Sequence, residues 1–159
     1  MLTIAICDDE KNIRELIANK VAKQYPDAEI IFFQSGEELL LVDESIDILF
    51  LDIQMSGIDG METARELRKK DKKVILIFVT AVEEYVFQAF DVGAFNYIVK
   101  PIDDGKFSDV LHRAVDEWSS QNINEKEPEE RYVLINNSGV HTKVILDEIV
   151  YAEVFNRQI

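Results

Sequence analysis

The feature that most constrains this chain is an alternation. Short apolar runs of β-branched and aromatic residues take turns with segments whose apolar residues recur at helical spacing, five times in succession. The apolar runs fall at residues 2–6, 30–33, 46–51, 74–79 and 95–99. Between and after them, Ile13, Leu16, Ile17 and Val21 mark a first helix that should stop near Pro26, and Ser35-Gly36 opens a short second one through Leu39 and Leu41. Met61, Ala64 and Leu67 mark the inward stripe of a third helix, with Arg65, Arg68 and Lys69 on the opposite face. A fourth is expected from about residue 83 to 90, with Tyr85, Phe87, Ala89 and Phe90 as packing residues. Phe107, Val110, Leu111, Ala114, Val115 and Trp118 mark the fifth. Strict strand–helix alternation calls for a parallel sheet covered on both faces, because right-handed crossovers place helices there. The expected fold class is therefore α/β, a flavodoxin-like doubly wound five-stranded parallel sheet of order 2-1-3-4-5.

The pattern stops after Trp118. Residues 119–130 are polar, hold four glutamates and Pro128, and read as a linker. Residues 131–159 turn β-rich: Tyr132-Val133-Leu134-Ile135 and Val144-Ile145-Leu146 read as strands joined through Asn136-Asn137-Ser138-Gly139, and Ile149-Val150-Tyr151 begins another apolar stretch. So short a segment reads as the opening of a second domain rather than a core of its own. The chain thus divides into residues 1–118, 119–130 and 131–159.

Composition narrows the setting. A single cysteine, Cys7, precludes an internal disulfide and fits a reducing compartment; its place at the end of an apolar run makes it a buried structural thiol. No apolar stretch approaches the roughly 20 residues of a membrane span, and the N-terminus has no basic n-region, so a cytoplasmic protein without a membrane partner is expected. A net charge of −14 repels phosphate backbones and disfavours nucleic-acid binding.

In a parallel sheet the carboxyl ends of the strands share one edge, and these ends carry the chemistry. Asp8 and Asp9 follow the first strand, Asp52 the third, Thr80 the fourth and Lys100 the fifth. Three neighbouring carboxylates repel unless a proton or a divalent cation joins them. A hard cation held by a few carboxylates, water and a phosphate oxygen is the Mg²⁺ pattern. A lysine and a hydroxyl supply the charge and the donor that a phosphoryl group needs, so the edge suits phosphoryl transfer, with Asp52 able to attack phosphorus as a carboxylate nucleophile. His112 and His141, with no Cys or His neighbours, read as surface residues.

The segments Ile4-Ala5-Ile6-Cys7-Asp8-Asp9-Glu10, Leu49-Phe50-Leu51-Asp52-Ile53-Gln54-Met55-Ser56-Gly57-Ile58-Asp59-Gly60, Phe78-Val79-Thr80-Ala81 and Tyr97-Ile98-Val99-Lys100-Pro101 resemble the receiver domains of two-component response regulators, over residues 1 to about 118. The resemblance implies that Asp52 is the phosphoacceptor, charged by a sensor histidine kinase. It implies that Asp8, Asp9, Asp52 and the backbone carbonyl of Gln54 hold Mg²⁺ and that Lys100 pairs with the phosphate. It further implies that Thr80 binds a phosphoryl oxygen and draws its loop inward, that Tyr97 follows by turning inward, and that the bond before Pro101 is cis. A receiver promotes its own phosphorylation and dephosphorylation rather than turning over a substrate, and often dimerises through its fourth helix, fifth strand and fifth helix. Gln54 and Val82 would flank the path of the hydrolytic water, and an apolar Val82 implies a long-lived phosphorylated state. The run Val144-Ile145-Leu146-Asp147-Glu148-Ile149-Val150-Tyr151-Ala152-Glu153 resembles the start of a LytTR-type DNA-binding domain, which implies transcriptional output. From Glu125 onward, however, Lys126, Arg131, Lys143 and Arg157 face seven acidic residues, so DNA binding is expected of a full-length parent and not of this fragment.

Two other chemistries fit parts of the pattern. A haloacid-dehalogenase-like phosphatase would place its nucleophile after the first strand in an Asp-x-Asp motif, whereas here Asp8 and Asp9 are adjacent and position 11 is lysine. A flavin-binding module would need a phosphate loop where Asp8-Asp9-Glu10 would repel the phosphate. A degenerate receiver acting by protein contact alone would not need the complete acceptor set.

Overall fold

The structure, a computed structural model, describes residues 1–123 and the backbone of residues 132–137 and 140–145. Its elements run β1 (Thr3–Cys7), α1 (Lys11–Gln24), β2 (Glu29–Phe33), α2 (Gly36–Leu40), β3 (Ile48–Leu51), α3 (Gly60–Lys70), β4 (Ile75–Thr80), α4 (Val86–Asp91), β5 (Asn96–Val99) and α5 (Asp104–Ile123). The five strands form one parallel sheet of order β2-β1-β3-β4-β5, as the alternation implies. The central strands β3 and β4 are buried along their whole length, which is why they read as unbroken apolar runs.

Two cores flank the sheet. On one face Ile4, Ile6, Ile48, Phe50, Ile77, Val79 and Ile98 pack against Ile17 and Val21 of α1 and Phe107, Val110 and Leu111 of α5. Phe50 and Phe107 stack there with ring centroids 5.2 Å apart. On the other face Cys7, Leu49, Leu51, Leu76 and Phe78 pack against Leu39 of α2, Met61 and Ala64 of α3 and Ala89 of α4. The side chain of Ser35 caps α2 through the Glu38 amide at 3.1 Å, and Asp59 caps α3 through the Glu62 amide at 2.8 Å. Arg68, Lys69 and Lys70 fill the last turn of α3, where the helix dipole favours cations.

Several boundaries and faces differ from the sequence expectation. In α1, Arg14 lies inward with Ile17 and Val21, while Leu16 remains 41% exposed. Arg68 is not on a solvated face. Its guanidinium donates to the carbonyls of Val92 (2.7 Å) and Gly93 (3.1 Å), just past the C-terminal end of α4, and of Val74 (2.8 Å), just before β4. Because α4 is only six residues long, it turns Ala89 inward and leaves Phe87 84% and Phe90 56% exposed, so those two rings are not packing residues. Finally, α5 continues to Ile123, five residues into the stretch expected to be linker, since nothing before Pro128 breaks a helix.

Residues 1–118 and 119–159 form separate compact units. In the second, β6 (Tyr132–Asn137) and β7 (Val140–Ile145) pair antiparallel, with Asn137 opposite Val140. Both strands run further toward each other than the apolar runs alone imply, with the ladder reaching Asn137 and Val140. The apolar stretch at Ile149-Val150-Tyr151 and the side chain of His141 lie outside the described residues.

Candidate phosphoacceptor site

Strand register brings the site together. Cys7, Leu51, Phe78 and Tyr97 lie in one row across the sheet. One step further along the chain come Asp8 and Asp52, tied by the Asp52 amide to the Cys7 carbonyl at 3.0 Å. Because side chains alternate in a strand, the row of Cys7 and Leu51 fills the core under α2, α3 and α4, and Asp8 and Asp52 leave the sheet in the opposite sense. Thr80 ends β4 and accepts its own ladder bond from the Lys100 amide at 2.8 Å, which delivers Lys100 to the same edge.

Lys100 is the hinge of the arrangement. Its Nζ donates to Asp8 Oδ2 at 2.9 Å and to Asp52 Oδ2 at 3.4 Å, bridging two carboxylates that are 1% and 4% exposed. Burial disfavours the ammonium, but the hydrogen bond to Asp8 and the charges of Asp52 and Asp8 outweigh it and raise the Lys100 pKa. For Asp52 burial dominates: its pKa is raised, with Lys100 pulling down and Asp8 pushing further up. Asp8 Oδ1 accepts the Glu10 amide at 2.9 Å, whereas Asp52 Oδ1 is buried with no hydrogen-bond partner. The Lys100–Pro101 bond is cis, as the resemblance implies.

Beside Asp52 opens a cleft of about 470 Å³ lined by Asp9, Ile53, Gln54, Met55, Ser56, Asp59 and Tyr85. Two glycines shape this side. Gly57 takes φ +82° in the turn after β3, a conformation that favours glycine. Gly60, the first residue of α3, passes so close to the Asp52 carbonyl that a Cβ would overlap it. Helix α3 is thereby seated directly against the backbone of Asp52.

Thr80 is fully buried; its Oγ1 accepts the Val82 amide at 3.4 Å, and its hydroxyl acts on Asp52, where hydrogen bonding favours the ionised carboxylate. The Tyr97 hydroxyl donates to the Val82 carbonyl, and the ring packs against Phe78 with centroids 5.9 Å apart. Cys7 is a buried thiol whose pKa is pushed up to about 12, chiefly by burial and then by Asp8, which suits a structural role and no nucleophilic one.

A divalent cation is tested by the donors present. Carboxylate oxygens of Asp8, Asp9 and Glu10 come within 4.8 Å of one another, and the buried Asp52 Oδ1 on the same edge has no hydrogen-bond partner. All are hard oxygen donors, so the residues fit Mg²⁺. Glu10 was not singled out from the sequence as a donor, though the consecutive Asp8-Asp9-Glu10 run carried the signal.

Sequence comparison decides the family. The profile described as "Response regulator receiver domain" matches residues 4–112. The chain belongs to the response-regulator receiver family. Among relatives, the sensory transduction protein LytT of Bacillus subtilis is 31% identical over 115 residues, spanning 71% of this chain and 48% of that protein. An uncharacterized response regulatory protein of Shewanella oneidensis is 38% identical over 148 residues, 91% of this chain and 62% of the relative. Transcriptional regulatory protein BtsR of Salmonella typhi is 37% identical over 131 residues, covering 77% and 52%. The chain therefore spans about half to two thirds of the length of these relatives. Among solved structures, the response regulator TrrA of Thermotoga maritima in complex with Mg(2+)-BeF superposes with TM-score 0.65 at 33% identity, covering 72% of this chain and 99% of TrrA. The response regulatory domain of mrkE from Klebsiella pneumoniae gives TM-score 0.71 at 27% identity, covering 76% and 100%. The receiver fold, the signalling class and the transcription-regulator kinship thus agree with the family resemblance carried by the sequence.

Proposed function

We propose that this receiver accepts a phosphoryl group on Asp52 from a sensor histidine kinase in a Mg²⁺-dependent reaction, and that Thr80 and Tyr97 relay the change. The observation that carries the reading is the state of Asp52: buried, held on Oδ2 by Lys100, without a hydrogen-bond partner on Oδ1, and next in the chain to Ile53 and Gln54, which line the cleft together with Asp9. In the reaction Oδ1 attacks phosphorus, the bond from phosphorus to the histidine nitrogen breaks, and an acyl phosphate forms. Asp8, Asp9, Asp52 and the Gln54 carbonyl would hold the Mg²⁺, with Glu10 near enough to join. When bound, it neutralises charge on the transferring oxygens. Lys100 supplies a second positive charge, and the Thr80 hydroxyl donates to a phosphoryl oxygen. Because Tyr97 is bonded to the loop carbonyl two residues after Thr80, movement of that loop reaches the outer face of α4 and β5. The exposed Phe87 and Phe90 support a role for that face, with α5, in homodimer formation.

We assign residues 1–118 to the receiver, 119–130, into which α5 extends, to a linker, and 131–159 to the beginning of a LytTR-type output region. The antiparallel β6–β7 pair and the kinship with LytT proteins support this, including LytT of Enterococcus faecalis, 29% identical across 98% of this chain. DNA binding is assigned to a full-length regulator. Among the described residues no helix is long and apolar enough to cross a membrane, which accords with a cytoplasmic setting.

Incubation with Mg²⁺ and acetyl phosphate, followed by intact-mass measurement, tests the proposal. One hydroxylamine-labile phosphoryl group is expected, absent with EDTA and absent in Asp52→Asn. A label that persists in Asp52→Asn would overturn the assignment.

A further inference from the structure

Arg14 is the one basic residue among the described residues with so little exposure, 9%, and it sits where helical spacing would favour an apolar side chain. With Ile17 and Val21 it forms the inward stripe of α1, at the end nearest the carboxyl edge of the sheet. Burying a guanidinium is costly unless its donors are used. Here Nη1 donates to the backbone carbonyl of Asp8 at 2.7 Å.

That carbonyl belongs to the peptide group joining Asp8 to Asp9. Other bonds hold the rest of Asp8: its amide donates to Phe33 O at 3.1 Å, Oδ1 accepts the Glu10 amide, and Oδ2 accepts Lys100. Arg14 thus donates to the carbonyl of the Asp8–Asp9 peptide, and Asp9 lines the cleft. We propose that Arg14 is a positioning residue for the cation ligands Asp8 and Asp9. This rests on the reading that those carboxylates hold Mg²⁺.

The proposal has a sign that a bland alternative does not share. A positive charge beside a cation site lowers cation affinity by Coulomb repulsion, so removing it should tighten binding if Arg14 only fills space or satisfies a carbonyl. If Arg14 orients the ligands, removing it weakens binding despite the favourable change in charge. Outer partners that orient metal ligands are typically worth about 10–100-fold in affinity.

The test is calorimetric titration of Mg²⁺ into wild type, Arg14→Met and Arg14→Lys, with circular dichroism and thermal unfolding in EDTA as controls of folding. Arg14→Met should bind Mg²⁺ about tenfold more weakly. Arg14→Lys, which keeps the charge and a donor, should recover much of the loss. Equal or tighter binding by folded Arg14→Met overturns the proposal while leaving the phosphoacceptor reading intact. Absence of saturable binding by wild type overturns both. Should Arg14→Met not fold, Arg14→Gln, neutral and with a shorter reach, takes its place with the same two outcomes.

Discussion

Leu51 and Asp52 are neighbours in the chain and opposites in circumstance. Leu51 is fully buried in a close-packed apolar core; Asp52 is 4% exposed, lies across from another buried carboxylate, and keeps one oxygen without a partner. The same contrast holds one strand over, between Cys7 and Asp8. The sheet interior is arranged for stability, while one residue beyond it the chain tolerates crowded like charges with a single ammonium between them. Strain of this kind persists only where the surrounding fold enforces it, and it marks the place where a ligand would relieve it.

Substitutions on the two sides of this boundary should differ in size and, at Asp52, in sign. The largest effect belongs to the core. Phe50→Ala removes a ring stacked on Phe107 and should lower unfolding free energy by about 3–5 kcal/mol in urea denaturation. If it also left Asp52 unable to accept a phosphoryl group in the still-folded fraction, the separation of core from site would break. Next comes Lys100→Met, which leaves Asp8 and Asp52 facing each other without their shared cation. A loss of about 2–3 kcal/mol is expected at neutral pH, partly restored by Mg²⁺ in the same urea series. Since the folded-state pKa of Lys100 is raised, its stabilisation is complete below the unfolded-state pKa and should fade only as pH rises through the higher folded value, in the alkaline range.

The smallest effect has the opposite direction. Asp52→Asn should stabilise the metal-free protein by about 1 kcal/mol, because it removes a buried charge whose ionisation the fold disfavours. The raised pKa of Asp52 fixes the pH course. The penalty is present above the folded-state pKa and vanishes as pH falls through it toward the unfolded value. The gap between wild type and Asp52→Asn should therefore close in acid, measured as thermal midpoints across pH without Mg²⁺. A gap that widens in acid would show that Asp52 is stabilising when ionised.

Much of this boundary was legible in the residues themselves. The unbroken apolar runs of β3 and β4 announced strands covered on both faces, and strand ends in a parallel sheet share an edge whatever the details, so Asp8, Asp52, Thr80 and Lys100 could be gathered on paper. What could not be read were choices made by tertiary packing. Arg14 and Leu16 exchange roles because a carbonyl at the end of β1 recruits a guanidinium, and no periodicity records where a carbonyl points. Arg68 turns inward for the same kind of reason, reaching acceptors at the end of α4. Phe87 and Phe90 looked like core by composition, but a six-residue helix has room for only one inward turn. Glu10 joined the carboxylate group only once the loop after β1 had a shape.

The central claim, that separate strand ends build one cation-binding pocket, is tested most directly by a Mg²⁺ titration followed through backbone amide resonances. The amides of Asp9, Ile53, Gln54, Thr80 and Lys100 should all shift and saturate along one binding curve, and the shared response should be lost in Asp52→Asn. Resonances that saturate at unrelated concentrations, or shifts confined to the Asp8–Glu10 loop, would contradict it.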